Sequence, residues 1–410
     1  MDQLLRAHAD AVMAAAIRAV QPDDAVRRAL EGQDFPGRIL LVAAGKAAWQ
    51  MAKAAHDCLG SRIDSGVVVT KYGHVKGPLD GITCCEAGHP VPDDNTFSGT
   101  QKALDLVAGL KPEDTVLFLL SGGGSALFEQ PLIPGEELRD ITEQLLACGA
   151  DIVEINTIRK RLSGVKGGRF ALACAPARVF SVVLSDILGD PLDMIASGPA
   201  VPDTSTCQQA MAIAQKYGLR LTDEARALLA RETPKALPNI TTRITGSVRA
   251  LCAAAADACR ALGYEPIILT DRLCCQAREA GSFLASVVKT HAADGRKLAF
   301  IAGGETVVQL TGNGKGGRNQ ELALAAAPGI AGIPGAAVFS VGSDGTDGPT
   351  DAAGGYVDHE SGAALKARDV DVYRVLQNND AYHALECVGG LIITGRTGTN
   401  VNDLAVALLG

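Results

Sequence analysis

The sequence predicts an α/β protein of two domains, with a mostly parallel sheet in the first and an α/β core in the second. Three observations carry this expectation. Short apolar runs alternate with segments of helical periodicity along most of the chain. The runs are continuously apolar, as in RILLVAA at 38–44 and TVLFLL at 115–120, which is the pattern of strands covered on both faces. A length of 410 residues also exceeds what one core ordinarily organises.

In chain order, 4–20 has helical spacing and forms a leading helix. Strands are expected at 38–44, 66–70, 82–86, 115–120 and 178–184, with helices at 46–59, 95–110, 135–148 and 152–172 between them. The segment 204–231 is helical, and ETPKALPN at 232–239, with two prolines and no apolar period, reads as the linker. Alternation then restarts: helix 248–262, strand 266–270, helix 277–293, strands 298–302 and 306–310, helix 320–327, strand 336–341. The final segment 391–409 fits either domain.

Composition narrows the function classes. A net charge of −8 gives no general attraction for nucleic acid or anionic lipid. Eleven cysteines, none spaced C-x-x-C and most within apolar stretches, read as reduced residues of a cytoplasmic protein. The uncharged stretch 322–343 is interrupted by Pro328, Gly329, Gly332, Pro334 and Gly335, so it reads as helix, loop and strand, not as a membrane span.

Ligands of open parallel sheets sit beyond the carboxyl ends of strands, so the loops after strands hold the candidates. Lys46, in AAGKA at 43–47, is either an exposed turn lysine or a cation for phosphate or carboxylate. Ser121, Gly122, Gly123, Gly124 and Ser125 form either a flexible turn or a nest of N–H donors that a ligand can approach closely. Arg159, Lys160, Arg161, Lys166 and Arg169 form either a solvated helix face or an anion site. Asp186 and Asp190 could hold a cation or accept a proton from a hydroxyl, or could cap a turn. Gly312, Gly314 and Gly317 match G-x-G-x-x-G by letter, but Lys315 and Arg318 in the same loop suit a transferring phosphoryl group better than a dinucleotide. Asp344, Asp347 and Asp351, in a glycine-rich loop, suggest a hard-cation site. The P-loop, the protein-kinase set and the G-x-S-x-G elbow are absent.

In this order the segments AAGKAA (43–48), EAGHPVPD (86–93), LSGGGSAL (120–127), INTIRKRLSGVKGGR (155–169), SDILGDPLDMIASGP (185–199), GGETVV (303–308), GNGKGGRNQE (312–321), SVGSDGTDGPTDAAG (340–354) and TGRTGTNVNDL (394–404) resemble the class II glycerate 2-kinase family. The resemblance implies a Rossmann-like glycerate-kinase domain at 1–236 and a MOFRL domain at 237–410, closing over an interdomain cleft. It implies ATP-dependent phosphorylation of D-glycerate at its 2-hydroxyl, with Mg²⁺ or another divalent cation. The family's functional lysine and arginine fall on Lys46 and Arg318.

On that reading Asp186 joins Lys46 and Arg318 as catalytic. Residues 121–125, Arg159, Lys166 and Asp190 bind substrate and phosphate. Gly304, Glu305, Gly314, Lys315, Gly317 and Asn319 bind nucleotide, and Asp344, Asp347 and Asp351 hold the metal. Glycerate and ATP are the expected partners, with no nucleic acid or membrane, in a cytoplasmic protein that could be a homodimer. Two competing readings are an NAD(P)H-dependent hydroxypyruvate reductase and a non-enzymatic sensor of organic acids or sugar phosphates. The reductase lacks the acidic ribose partner expected about 20 residues beyond the glycines, because 331–337 carries no carboxylate.

Overall fold

The computed structural model describes residues 1–410. The chain divides into two compact units. The N-terminal unit comprises 25–185 and 190–245; the C-terminal unit comprises 1–24, 186–189 and 246–410.

The N-terminal unit is built on β1 (Ile39–Ala44), β2 (Ile63–Lys71), β3 (Ile82–Ala87), β4 (Thr115–Leu120), β5 (Arg178–Leu184) and β6 (Ile240–Gly246), in the order β3-β2-β1-β4-β5-β6. Strands β1 to β5 pair in parallel. Every residue of β1 and β4 is buried, as their unbroken apolar runs require when helices cover both faces. Strand order reverses between β1 and β4, and such a reversal opens a crevice at the carboxyl ends of the two strands.

The C-terminal unit holds β7 (Glu265–Leu273), β8 (Leu298–Gly304), β9 (Ala337–Gly342), β10 (Gly354–Asp358), β11 (Leu391–Ile392) and β12 (Asp403–Leu409), in the order β11-β10-β9-β12-β8-β7. Here the sheet is mixed. β7 runs parallel to β8, while β12 is antiparallel to both β8 and β9. The last segment of the chain is thus a fully buried central strand of this unit.

Helix Gln3–Ala19 places Leu5, Ala9, Val12, Met13, Ala16 and Ile17 in one buried stripe. That stripe packs with Leu251, Ala255 and Phe339 in the core of the C-terminal unit. The division is therefore not a single cut after 236, because the leading helix spends its apolar face on the second core. The stretch 232–239 is not a linker either. Buried Thr233 donates to Asp203 at 2.6 Å, Asn239 bonds the carbonyls of Ala171 and Ala177 at 3.0 and 2.9 Å, and the chain continues into β6.

Two other expectations fail locally. The helix expected over 152–172 breaks into Ile152–Leu162 and Arg169–Ala173: Ser163 turns extended after Leu162, and Gly167 and Gly168 take φ values of 57° and 84° before the second helix. The strand expected at 306–310 does not form. Both sides of β8 are already paired, to β12 and β7, and Val307 and Leu310 are exposed. No helix is long and apolar enough to cross a membrane.

Candidate active site

In the N-terminal unit the crevice between β1 and β4 is lined by the loops that leave those strands. They are cross-bonded. Ser121 N donates to Ala44 O at 3.0 Å, Lys46 N to Gly122 O at 2.9 Å, and Ala47 N to Ser121 Oγ at 3.0 Å. Thr70, at the end of β2, donates to Gly45 O at 2.9 Å, and His74 Nδ1 lies 2.8 Å from Lys46 O. Gly45 has φ 118°, and a Cβ there would fall 2.3 Å from Ser121 Oγ, so no other residue fits. The Lys46 backbone is thereby fixed while its side chain is exposed.

The glycine loop has the geometry of a donor nest. The N–H groups of Gly122, Gly123, Gly124 and Ser125 donate to no acceptor of the chain, whereas the carbonyls of Gly122, Gly123, Gly124 and Ser125 are all engaged. Backbone N–H groups left free in a fixed loop favour anions.

Arg159 and Lys166 both donate to the Ser125 carbonyl of this loop. Lys166 is fully buried; its Nζ donates to Ser125 O at 3.0 Å and Phe128 O at 2.9 Å and pairs with buried Glu129 at 3.3 Å. Burial draws the Lys166 ammonium down to about 8, against the pull of the Glu129 charge. Arg159 donates to Ser125 O at 2.9 Å and lies 3.8 Å from Glu129. Lys160 pairs with Asp193 and Asp203, and buried Arg161 with Asp203 and Glu232. The expected substrate contact of Lys166 is at odds with its full burial, and this cation holds the loop from behind; Arg159, partly exposed, also holds the Ser125 carbonyl.

The segment after β5 closes against the same loop. Ala196 and Ser197 take φ values of 51° and 57°, and Ala196 sits so close that a Cβ on Gly124 would be 2.7 Å from its own. Ser197 Oγ donates to Asn156 Oδ1 at 2.8 Å. Asp190, also at positive φ, keeps one buried carboxylate oxygen without a hydrogen bond. Asp186 belongs to the other unit, where its carbonyl accepts from Asn402 at 3.1 Å.

In the C-terminal unit Arg318 opens helix Arg318–Ile330 and forks onto Asp403, with Nε at 2.5 Å and Nη2 at 3.0 Å from the two carboxylate oxygens. Glu305 lies 3.3 Å from Arg318 Nη1 and accepts from Asn402 at 3.2 Å. Burial works against the guanidinium charge, but Asp403 and then Glu305 outweigh it and hold Arg318 above the usual arginine range.

Asp347 fills the end of this helix. One oxygen accepts from Asn319 N at 3.1 Å and the other from Gln320 N at 2.9 Å, which supplies the cap that Gly317 cannot. Burial pushes Asp347 up to about 6, and these N–H donors only partly offset it. The same carboxylate would meet a Cβ on Gly317 at 2.3 Å. The glycines at 312 and 314 are likewise explained by the backbone of Asn378 and Asp380, which presses against them. Lys315 lies with its Nζ 3.7 Å from the centre of the Tyr382 ring, and Tyr382 donates to Asp351 at 2.8 Å. Asp344 accepts from Thr346 N at 2.9 Å in a local turn.

The three aspartates expected to bind metal thus have three separate duties, and no group of three or more His, Cys, Asp or Glu residues converges on a metal position. They do not fit a preformed Mg²⁺ site. Of the expected nucleotide set, Glu305 and Asn319 join the Arg318–Asp403 cluster, while Gly314 and Lys315 pack toward Tyr382 and Asp380. Sequence reasoning missed Asp403 and Asn402, although both lie in the NDL stretch just before the final apolar run. It also missed Glu129 and His89, the latter a lone histidine in a proline-rich turn.

Comparison with known proteins agrees with this architecture. A family described as a domain of unknown function, DUF4147, matches residues 8–230, and the MOFRL family matches 298–403. A D-glycerate 2-kinase of Thermotoga maritima is 53% identical over 399 residues, spanning 96% of this chain and 95% of that protein. The crystal structure of glycerate kinase from Thermotoga maritima superposes with a TM-score of 0.95 at 51% identity, with all of both chains covered. A relative from Agrobacterium vitis, 40% identical over 391 residues and covering 91% of this chain and 88% of its own, carries a hydroxypyruvate reductase name. The chain belongs to the family that joins the DUF4147 and MOFRL domains and includes the glycerate 2-kinases.

Proposed function

We propose that the chain is a glycerate 2-kinase, transferring a phosphoryl group from ATP to the 2-hydroxyl of D-glycerate to give 2-phosphoglycerate and ADP. The observation that carries this reading is the pairing of four unused N–H donors at 122–125 with an exposed lysine at the β1–β4 crevice. Phosphoryl transfer asks for alignment and charge stabilisation more than for a covalent partner. The loop supplies fixed dipoles for anionic oxygens of the substrate, and Lys46 supplies a mobile cation for the transferring group. In the C-terminal unit Arg318 is the matching permanent cation, kept ionised and oriented by Asp403. Glu305 and Asn319 are assigned to the nucleotide side. Asp344, Asp347 and Asp351 are assigned no metal, because each is engaged elsewhere.

The test is a coupled assay. ADP release that requires D-glycerate and saturates with it is the expected result, with no oxidation of NADH or NADPH by hydroxypyruvate. Nicotinamide oxidation without ADP release would overturn the kinase reading in favour of the reductase, and tight glycerate binding without turnover would favour the sensor.

A further inference from the structure

We infer that His89 is a catalytic residue of this site: it takes the proton from the substrate hydroxyl as the phosphoryl group arrives. This rests on the kinase reading above. His89 leaves the carboxyl end of β3 and folds over the glycine loop. A Cβ on Gly123 would lie 3.0 Å from His89 Nε2 and Cδ2 and 3.1 Å from Lys46 Cγ, so the imidazole edge, the lysine stem and the donor loop meet at one point. Neither ring nitrogen of His89 bonds to the protein, in contrast to His74, whose Nδ1 is held by Lys46 O at 2.8 Å.

The charged groups around the ring come from several elements. They are Lys46 after β1, Lys71 at the end of β2 and His74 in the following loop. Asp93, near Gly88, accepts from Tyr72 Oη at 2.7 Å and from Thr96 N at 3.0 Å, which leaves it committed to a helix cap. Burial first, and then these cations, hold the imidazole below its ordinary titration range and therefore neutral near pH 7. A neutral imidazole with a free nitrogen at the reacting loop is the form a general base needs.

The step balances. The O–H bond of the 2-hydroxyl breaks as its oxygen bonds to the γ-phosphorus. The bond from that phosphorus to its bridging oxygen breaks, and the electron pair leaves with ADP. The proton rests on His89 and passes to solvent before the next turnover.

The experiment uses the full chain and its His89→Gln and His89→Ala variants, with ADP release as readout. For His89→Gln, kcat is expected to fall about 10²–10³-fold, with KM for ATP within roughly threefold. The wild-type profile of kcat/KM is expected to show an acid limb on the acid side of the ordinary histidine range, which the variant loses. Added imidazole should restore part of the His89→Ala turnover, a rescue that a purely structural role would not give. A wild-type profile without that limb, or a His89→Gln enzyme that keeps the limb and most of its kcat, would overturn the assignment. A wild-type chain that releases no ADP with glycerate would instead sink the kinase reading itself.

Discussion

Lys46→Ala is expected to lower kcat for D-glycerate phosphorylation by about 10²–10³-fold, the range lost when one preorganised charge-stabilising group is removed. The folded state should hardly notice. The Lys46 side chain is exposed and its Nζ forms no ion pair or hydrogen bond within the chain. Its backbone contacts to Gly122, Thr70 and His74 survive the change. Substitutions of that kind stay within about 0.5 kcal/mol. Steady-state kinetics and a thermal melt of the same preparation check both halves. Near-normal turnover in a well-folded variant would remove Lys46 from the mechanism.

The second large effect is on the loop's support. Lys166→Met should destabilise the chain by about 3–5 kcal/mol, because it leaves the Glu129 carboxylate buried without its nearer charge partner, with only Arg159 at 3.8 Å beside it. Both side chains of the pair are wholly inaccessible to solvent, so water cannot screen the loss. The double variant Lys166→Met with Glu129→Leu should recover most of that stability, since an apolar pair of similar volume avoids the desolvation penalty. Activity should not return with it. The carbonyls of Ser125 and Phe128 would still lack the ammonium that fixes them, and the donor loop would lose its geometry. Urea unfolding beside ADP-release kinetics separates the two outcomes. A stable double variant with full turnover would show that Lys166 serves folding alone.

Much of this fold was legible in the sequence because its strands are local signals. RILLVAA and TVLFLL are buried on both faces, and continuous apolar runs report that directly. The glycine loop and Lys46 were legible for the same reason: each sits at the end of such a run. What sequence could not convey was where charges turn. The cations at 159–169 share one short segment with Gly164, Gly167 and Gly168, and only packing shows that Lys166 points inward to Glu129 while Lys46 points out. The aspartates at 344, 347 and 351 look alike in a glycine-rich string, yet one caps a helix, one closes a turn and one meets a tyrosine hydroxyl. The leading helix was recognised by its period, but its partner core begins more than two hundred residues later in the chain, and no local pattern encodes that choice.

The most direct measurement is the phosphorus NMR spectrum of the product formed from ATP and D-glycerate. Phosphorylation at the 2-hydroxyl gives a new ester signal split by the single proton on C2, alongside ADP. An ester signal split by the two protons on C3 would place the phosphate on the 3-hydroxyl, and ATP returned unchanged in the presence of glycerate would contradict the kinase assignment altogether.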